Sequence, residues 1–457
     1  MNRVTRRVWI MLLFIAILLG GMGFFIYEYA TKSDQWMVFT GNPHVYVDER
    51  TAEGVFVDRD GEVLLDTRDG RIYADDVLTR QATLHWVGDR KGNISAPAVS
   101  HYLKEMVGYD PVDGVYAPNG ANGEVELTIS AYVQAVALEA MDGRKGTVAV
   151  YNYKTGEILC AVTTPTFDPD DVPDIAGDTT DTFKGVYVNR FIQSTYIPGS
   201  IFKIVTTAAA LDSVEGIEDM TFVCQKTYEY GVDKVTCERA HGKLNLKGAM
   251  ANSCNCCYAQ IAELVGRENM MRYVEQFGIT APLSFDGITT ATGNYDVSKA
   301  APVQLAWSCI GQYTDQINPC RFMTFMGAIA AGGTGVEPYL VSRVTVGEEV
   351  TYQAQPVTTQ PIMSQQQAQT LQEYMRNNVS AVYGDRNFPG LTVCAKSGTS
   401  QLGGGEKSNA MFAGFVADED YPLAFIVVVE NGGYGSSTCV PILSKVLTAC
   451  KTVMDEA

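Results

Sequence analysis

Ser200 and Lys203 stand three residues apart in the stretch Pro198-Gly-Ser-Ile-Phe-Lys203. At the start of a helix, residues i and i+3 share a face, so a hydroxyl and an amine at this spacing can meet. A serine hydroxyl is a poor nucleophile until a base takes its proton. Lysine is that base only when neutral, and burial among Ile201, Phe202, Ile204 and Val205, with positive charge nearby, disfavours the ammonium. The helix amino terminus adds a positive dipole where an oxyanion would form. Alone the pattern says little, since two common residues meet at this spacing about once by chance in such a chain.

Ser253-Cys-Asn255 follows, and S-x-x-K and S-x-N each occur once in the 457 residues. A second serine hydroxyl can relay a proton between Lys203 and a leaving amine, while the Asn255 amide can both donate to and accept from a peptide bond. Ser and Asn also suit a plain helix cap. Lys396-Ser397-Gly398-Thr399 then falls late in an apolar run that reads as a strand. Gly398 lets a substrate backbone approach the strand closely, Lys396 with the hydroxyls of Ser397 and Thr399 can hold a carboxylate, and an amide near Thr399 can complete an oxyanion hole with the Ser200 amide. Lys154-Thr-Gly156 fits K-[ST]-G as well, but it lies in the turn Asn152–Gly156 and reads as a solvated hairpin tip.

These residues need a scaffold of strands and helices. Gly146–Tyr151 and Glu157–Val162 form a hairpin signal, Ile201–Leu211 reads as a buried helix entered through Pro198-Gly199, and a further helix is predicted over Tyr258–Leu264. Leu391–Thr399, Ala410–Ala417 and Leu423–Glu430 are strand-like runs. Helices between flanking groups of strands imply an α/β (α+β) layer fold with a central sheet. Ahead of it, short strand signals separated by Asp-Gly turns, such as Gly54–Asp58 and Gly61–Leu65, suggest a strand-rich module, and Tyr132–Met141 a helical bridge.

Val8–Tyr27 holds 20 residues without a charge, enough at about 1.5 Å per residue to cross a hydrocarbon core of about 30 Å. Arg3, Arg6 and Arg7 precede it, which predicts an amino terminus in the cytoplasm and the rest outside. The run exceeds the roughly 7–15-residue core of a cleavable signal. The expected division is a tail 1–7, a transmembrane helix 8–27, a pedestal 28–142 and a catalytic unit 143–457. A formal charge of −18 leaves no nucleic-acid footprint. All eleven cysteines follow the apolar run, where disulfides are permitted; Cys224 and Cys237 flank a short Tyr-Gly segment and could bridge it. Cys254, Cys256 and Cys257 crowd together with neither a second paired cluster nor a histidine at zinc spacing, so they read as small buried residues and no metal is expected.

One S-x-x-K, one S-x-N and K-[ST]-G on a strand, in that order, make a set that resembles the penicillin-binding proteins and β-lactamases. The likeness continues through Gly146–Pro169, Asn189-Arg190, His241-Gly242, Gly311-Gln312 and the Asn409–Glu430 hairpin, and covers most of residues 125 to 435. Ser397 stands where many relatives have Thr and keeps the hydroxyl. The layout is similar to class B penicillin-binding proteins of a short-pedestal type. That resemblance implies a penicillin-binding transpeptidase fold and a peptidoglycan D,D-transpeptidase that cross-links stem peptides through an acyl-enzyme on Ser200, with Lys203 as base, Ser253 and Asn255 as relay and clamp, and Lys396–Thr399 as carboxylate site. It further implies β-lactams as covalent inhibitors, no cofactor, and docking to a membrane glycan polymerase of the shape, elongation, division and sporulation family. A β-lactamase is the competing expectation, but no E-x-x-L-N segment follows Ser253 to activate water. A β-lactam sensor or scaffold is another, against which all motif residues are intact.

Overall fold

The computed structural model describes residues 3–37, 46–47, 50–51, 54–68, 70–102, 106, 123–401 and 407–456. The helix Arg3–Met37 contains the apolar run, is exposed throughout that run, and is long and apolar enough to cross a membrane.

The centre of the molecule is a five-stranded antiparallel sheet in the order Val393–Ser400, Asn409–Val416, Leu423–Val429, Gly146–Asn152, Ile158–Thr164. Continuous apolar runs form its inner strands because both faces are covered, and alternation then divides the side chains between two cores. On Leu423–Val429, Ala424, Ile426 and Val428 face one core while Phe425, Val427 and Val429 face the other. Helices Ala131–Met141 and Gly435–Glu456 cover the second face, and Pro319–Ala330 packs on the first. The K-[ST]-G strand, Val393–Ser400, is the sheet's edge.

A second sheet of six strands runs in the order Glu349–Gln353, Val341–Val346, Gly123–Leu127, Val55–Val57, Val63–Asp66, Ile72–Tyr73. It draws strands from both sides of residue 142, and the sequence reading does not mark the 341–353 hairpin. The strand-rich stretch before residue 142 also contains a helix, Val77–Val87, started by Asp76, whose side chain accepts from the Thr79 N–H at 2.8 Å. It docks on the central unit: Trp86 Nε1 donates to the Ala161 carbonyl at 2.7 Å, and Arg80 grips the Asp168 carboxylate at 2.6 and 2.7 Å.

Candidate active site

The predicted helix at Ile201 begins two residues earlier, as one 3-10 turn Gly199–Phe202 that passes into the α-helix Lys203–Ser213. With three residues per turn, positions i and i+3 eclipse. Lys203 Nζ accordingly lies 2.9 Å from Ser200 Oγ. Gly199 makes the placement possible: its φ is +55°, and a Cβ there would lie 2.6 Å from the Thr399 carbonyl oxygen. The nucleophile's turn is thus pressed against the edge of the Lys396 strand. Gly398 meets it from the other side, where a Cβ would stand 2.9 Å from the Pro198 carbonyl oxygen.

Lys203 is completely buried. Its Nζ is also 2.8 Å from the Ser253 carbonyl oxygen, 3.0 Å from Ser253 Oγ and 2.8 Å from Asn255 Oδ1. The Asn255 amide is oriented by its other end, since Nδ2 donates to the Thr236 carbonyl at 2.9 Å. The Ser253 carbonyl and Asn255 Oδ1 can only accept. A neutral amine gives its protons to these two and keeps its lone pair for the Ser200 hydroxyl proton. Burial holds Lys203 well below the ordinary lysine value, and the Lys396 charge pushes the same way.

Ser253 has φ +50°, a left-handed conformation uncommon for a residue with a Cβ. This turn, two residues before the helix Asn255–Gln276, carries Oγ to within 3.1 Å of Lys396 Nζ as well as reaching Lys203. Lys396 is also wholly buried, and burial pulls it down to about 7. Its Nζ donates to the Ser397 carbonyl at 3.0 Å, so the ammonium lies beneath the strand, while Ser397 and Thr399 line the cleft, the Ser397 hydroxyl 3.0 Å from Tyr383 Oη and the Thr399 hydroxyl accepting from the Gly435 N–H at 3.2 Å.

On the open edge, the Ser397 N–H donates to Tyr383 Oη at 2.9 Å and the Thr399 carbonyl accepts from Gln312 Nε2 at 3.3 Å. In an antiparallel strand a residue's N–H and C=O point to the same side, so the Thr399 N–H also faces that edge, toward Ser200. Ser200, Ser253, Asn255, Gln312, Ser397 and Thr399 line one cleft of about 670 Å³. All the motif residues therefore converge. Lys154 does not: it sits at the turn of the Gly146–Thr164 hairpin, exposed, with Nζ donating to the Glu419 carbonyl at 3.3 Å.

Sequence reasoning missed Tyr383, which sits in a π-helical turn, and Tyr258, whose ring lies 5.4 Å from Lys203 Nζ. Two cysteine expectations are corrected. Cys224 and Cys237 are not bridged; every cysteine is a free thiol, and all are buried. A histidine does accompany the crowded cysteines, because the fold brings His241 together with Cys224, Cys237 and Cys254, their ligand atoms all within 4.8 Å of one another. Cys256 and Cys257 are outside that group.

Residues 146–448 match the penicillin binding protein transpeptidase domain. The chain belongs to that family. Among its relatives, stage V sporulation protein D of Bacillus subtilis is 25% identical over 399 residues, which take in 82% of this chain and 58% of that protein. Peptidoglycan D,D-transpeptidase PbpA of Mycolicibacterium smegmatis is 28% identical over 344 residues, 69% of this chain and 68% of that one. The fold of this penicillin-binding protein is also that of penicillin-binding protein A from M. tuberculosis in its ceftriaxone acyl-enzyme complex, with a TM-score of 0.75 at 22% identity, over 87% of this chain and 98% of that one. The D,D-transpeptidase domain of a peptidoglycan glycosyltransferase from Eggerthella lenta superposes equally well, TM-score 0.75 at 25% identity, over 88% of this chain and 98% of that one.

Proposed function

We propose that this penicillin-binding protein is a class B peptidoglycan D,D-transpeptidase working through an acyl-enzyme on Ser200. The observation that carries the reading is the Lys203 amine, buried, 2.9 Å from Ser200 Oγ and engaged by two obligate acceptors that leave its lone pair free. Ser200 Oγ attacks the carbonyl carbon between the terminal D-Ala residues of a stem peptide while its proton passes to Lys203 Nζ. The tetrahedral oxyanion sits between the N–H groups of Ser200 and Thr399. Ser253 Oγ, bonded to both lysines, relays the proton to the departing D-Ala nitrogen as the C–N bond breaks. The substrate's terminal carboxylate lies against the hydroxyls of Ser397 and Thr399, with the Lys396 charge behind them. An amine from a second stem peptide then attacks the ester carbonyl, and Ser200 regains its proton.

The helix Arg3–Met37 anchors the protein in the cytoplasmic membrane, with Arg3, Arg6 and Arg7 on the cytoplasmic side and the catalytic unit outside. Anchor and pedestal dock a glycan polymerase of the shape, elongation, division and sporulation family, because this chain has its family match in a cross-linking domain. Gentle-detergent purification from native membrane should yield the pair; recovery of the protein alone would remove the docking claim.

Fluorescent penicillin, denaturing electrophoresis and mass mapping test the chemistry. A long-lived adduct on Ser200 is expected, lost in Ser200→Ala and in Lys203→Ala. An adduct on another residue, or one released within seconds, would overturn the reading.

A further inference from the structure

Beside the cleft, four side chains from separate segments meet at one point. Cys224 ends the strand Phe222–Cys224, Cys237 follows Asp233–Thr236, His241 precedes Gly242–Leu244, and Cys254 caps the helix Asn255–Gln276. We propose that Cys224, Cys237, His241 and Cys254 bind a structural zinc ion that holds the Ser253–Asn255 loop in its working position.

Distances support a tetrahedral Cys3His site. With Zn–S near 2.3 Å and Zn–N near 2.0–2.1 Å, tetrahedral edges are about 3.8 Å between sulfurs and about 3.6 Å from sulfur to nitrogen. The Sγ atoms of Cys237 and Cys254 lie 3.7 Å apart, and Cys224 Sγ lies 3.4 Å from His241 Nδ1. Three thiolates and an imidazole select a soft or borderline ion, and four protein ligands close the shell, which marks a structural rather than catalytic site. A partner to a thiolate is present too: the Cys256 N–H points at Cys237 Sγ, 3.4 Å away. All three cysteines are buried, while His241 and Cys237 line the cleft, which gives an ion its way in.

The local fold explains why a metal is wanted. This region is built from two two-stranded sheets, Phe222–Cys224 with Gly242–Leu244 and Thr227–Tyr230 with Asp233–Thr236. Pairs of three- and four-residue strands are marginal unless something staples them. The staple would also reach the chemistry. Cys254 is the middle residue of the S-x-N motif, flanked by the left-handed Ser253 and by Asn255, and the Thr236 carbonyl that orients Asn255 immediately precedes Cys237. Loss of the ion would free both neighbours from Lys203.

Elemental analysis of the full-length protein purified in detergent, from cells grown with zinc, should find about one zinc per chain, the stoichiometry of a single four-ligand site. Cys224→Ser and His241→Ala should lose it, whereas Cys256→Ser and Cys257→Ser should keep it. Stripping with a membrane-permeable chelator should slow penicillin acylation by about 10²-fold, the cost of ångström-scale misplacement, with recovery on adding zinc back. That rate rests on the transpeptidase reading; the metal count does not. Cobalt substitution of the wild-type protein should give thiolate-to-metal charge-transfer absorption and a tetrahedral visible spectrum, which decides the matter if the ligand variants fail to fold. A metal-free wild type, a cobalt spectrum without thiolate bands, a Cys237–Cys254 disulfide in the protein as isolated, or zinc retained in Cys224→Ser would each overturn the proposal.

Discussion

The two sides of the cleft are held by different physics. On one side, the Lys396 strand belongs to a sheet buried on both faces, and Ser200 and Lys203 stand on a helix whose residues 203–210 are all buried. On the other side, Ser253 and Asn255 lean on the 222–244 region, where Val223, Glu229, Asp233, Lys234 and Lys243 face solvent and few side chains are enclosed. The nucleophile's turn and both lysines are enclosed by packing, whereas the relay and clamp are packed on one side only, through the buried Cys254 and residues 256–259, and are tethered on the other to small strands. A perturbation of the core should therefore act on stability, and one in the tethered region on the rate of acylation.

The largest effect should come from the packed side. Phe412, enclosed by the rings of Tyr383, Phe388 and Phe425, should cost about 3–5 kcal/mol of unfolding free energy on truncation to Ala, read by denaturant melts, and this cost should be the same with or without a chelator. Chelator-dependent destabilisation in that variant would show that the two sides are not independent.

Lys396→Met separates stability from chemistry at a single position. It should slow penicillin acylation by about 10²-fold, as loss of one well-placed electrostatic contact does. It should also raise the melting temperature at neutral pH, because it removes an ammonium from a buried site. Burial holds Lys396 to about 7, against 10.5 for an ordinary lysine. Between those values the unfolded chain keeps a proton that the folded chain has released, so wild-type stability should climb as pH rises through that window. In Lys396→Met the climb should shrink to what Lys203, shifted in the same direction, still contributes. A variant less stable than wild type at pH 7, with its pH dependence unchanged, would break the assignment.

Smaller effects belong to the rim. Tyr434 Oη donates to Glu238 Oε1 at 3.2 Å across the cleft mouth, an exposed contact, so Tyr434→Phe should alter stability by less than about 0.5 kcal/mol. Smallest of all should be Lys154→Ala, with less than a twofold change in acylation rate. A defect at Lys154 matching that at Lys396 would mean that the wrong K-[ST]-G strand has been assigned.

The contrast between the two sides also explains what the sequence could reveal. The Lys396 strand and its neighbours were legible because burial on both faces writes long apolar runs, and Ser200 because Pro198-Gly199 marks a helix start. The 3-10 turn was not, since its tightness comes from Gly199 lying against the Thr399 carbonyl, a contact between segments two hundred residues apart. The predicted helix Tyr258–Leu264 covers most of the first part of Asn255–Gln276, before a non-helical Gly266 kinks the backbone and a second helical stretch continues to Gln276. The Cys-His group is spaced C-x12-C-x3-H-x12-C, with no close cysteine pair to betray it. Only the return of Gly242–Leu244 beside Phe222–Cys224 brings His241 to the cysteines.

The sheet shared across residue 142 has a consequence for modularity. Val341–Val346 takes Gly123–Leu127 as one neighbour and Glu349–Gln353 as the other. A catalytic fragment beginning at residue 143 would carry the first of these strands with one naked edge, open to pairing with a second copy. Recombination or engineering that swaps the amino-terminal module as a cassette must bring in a strand of matching register at that edge. Otherwise the product should come out of cells as aggregates, however intact its Ser200 site.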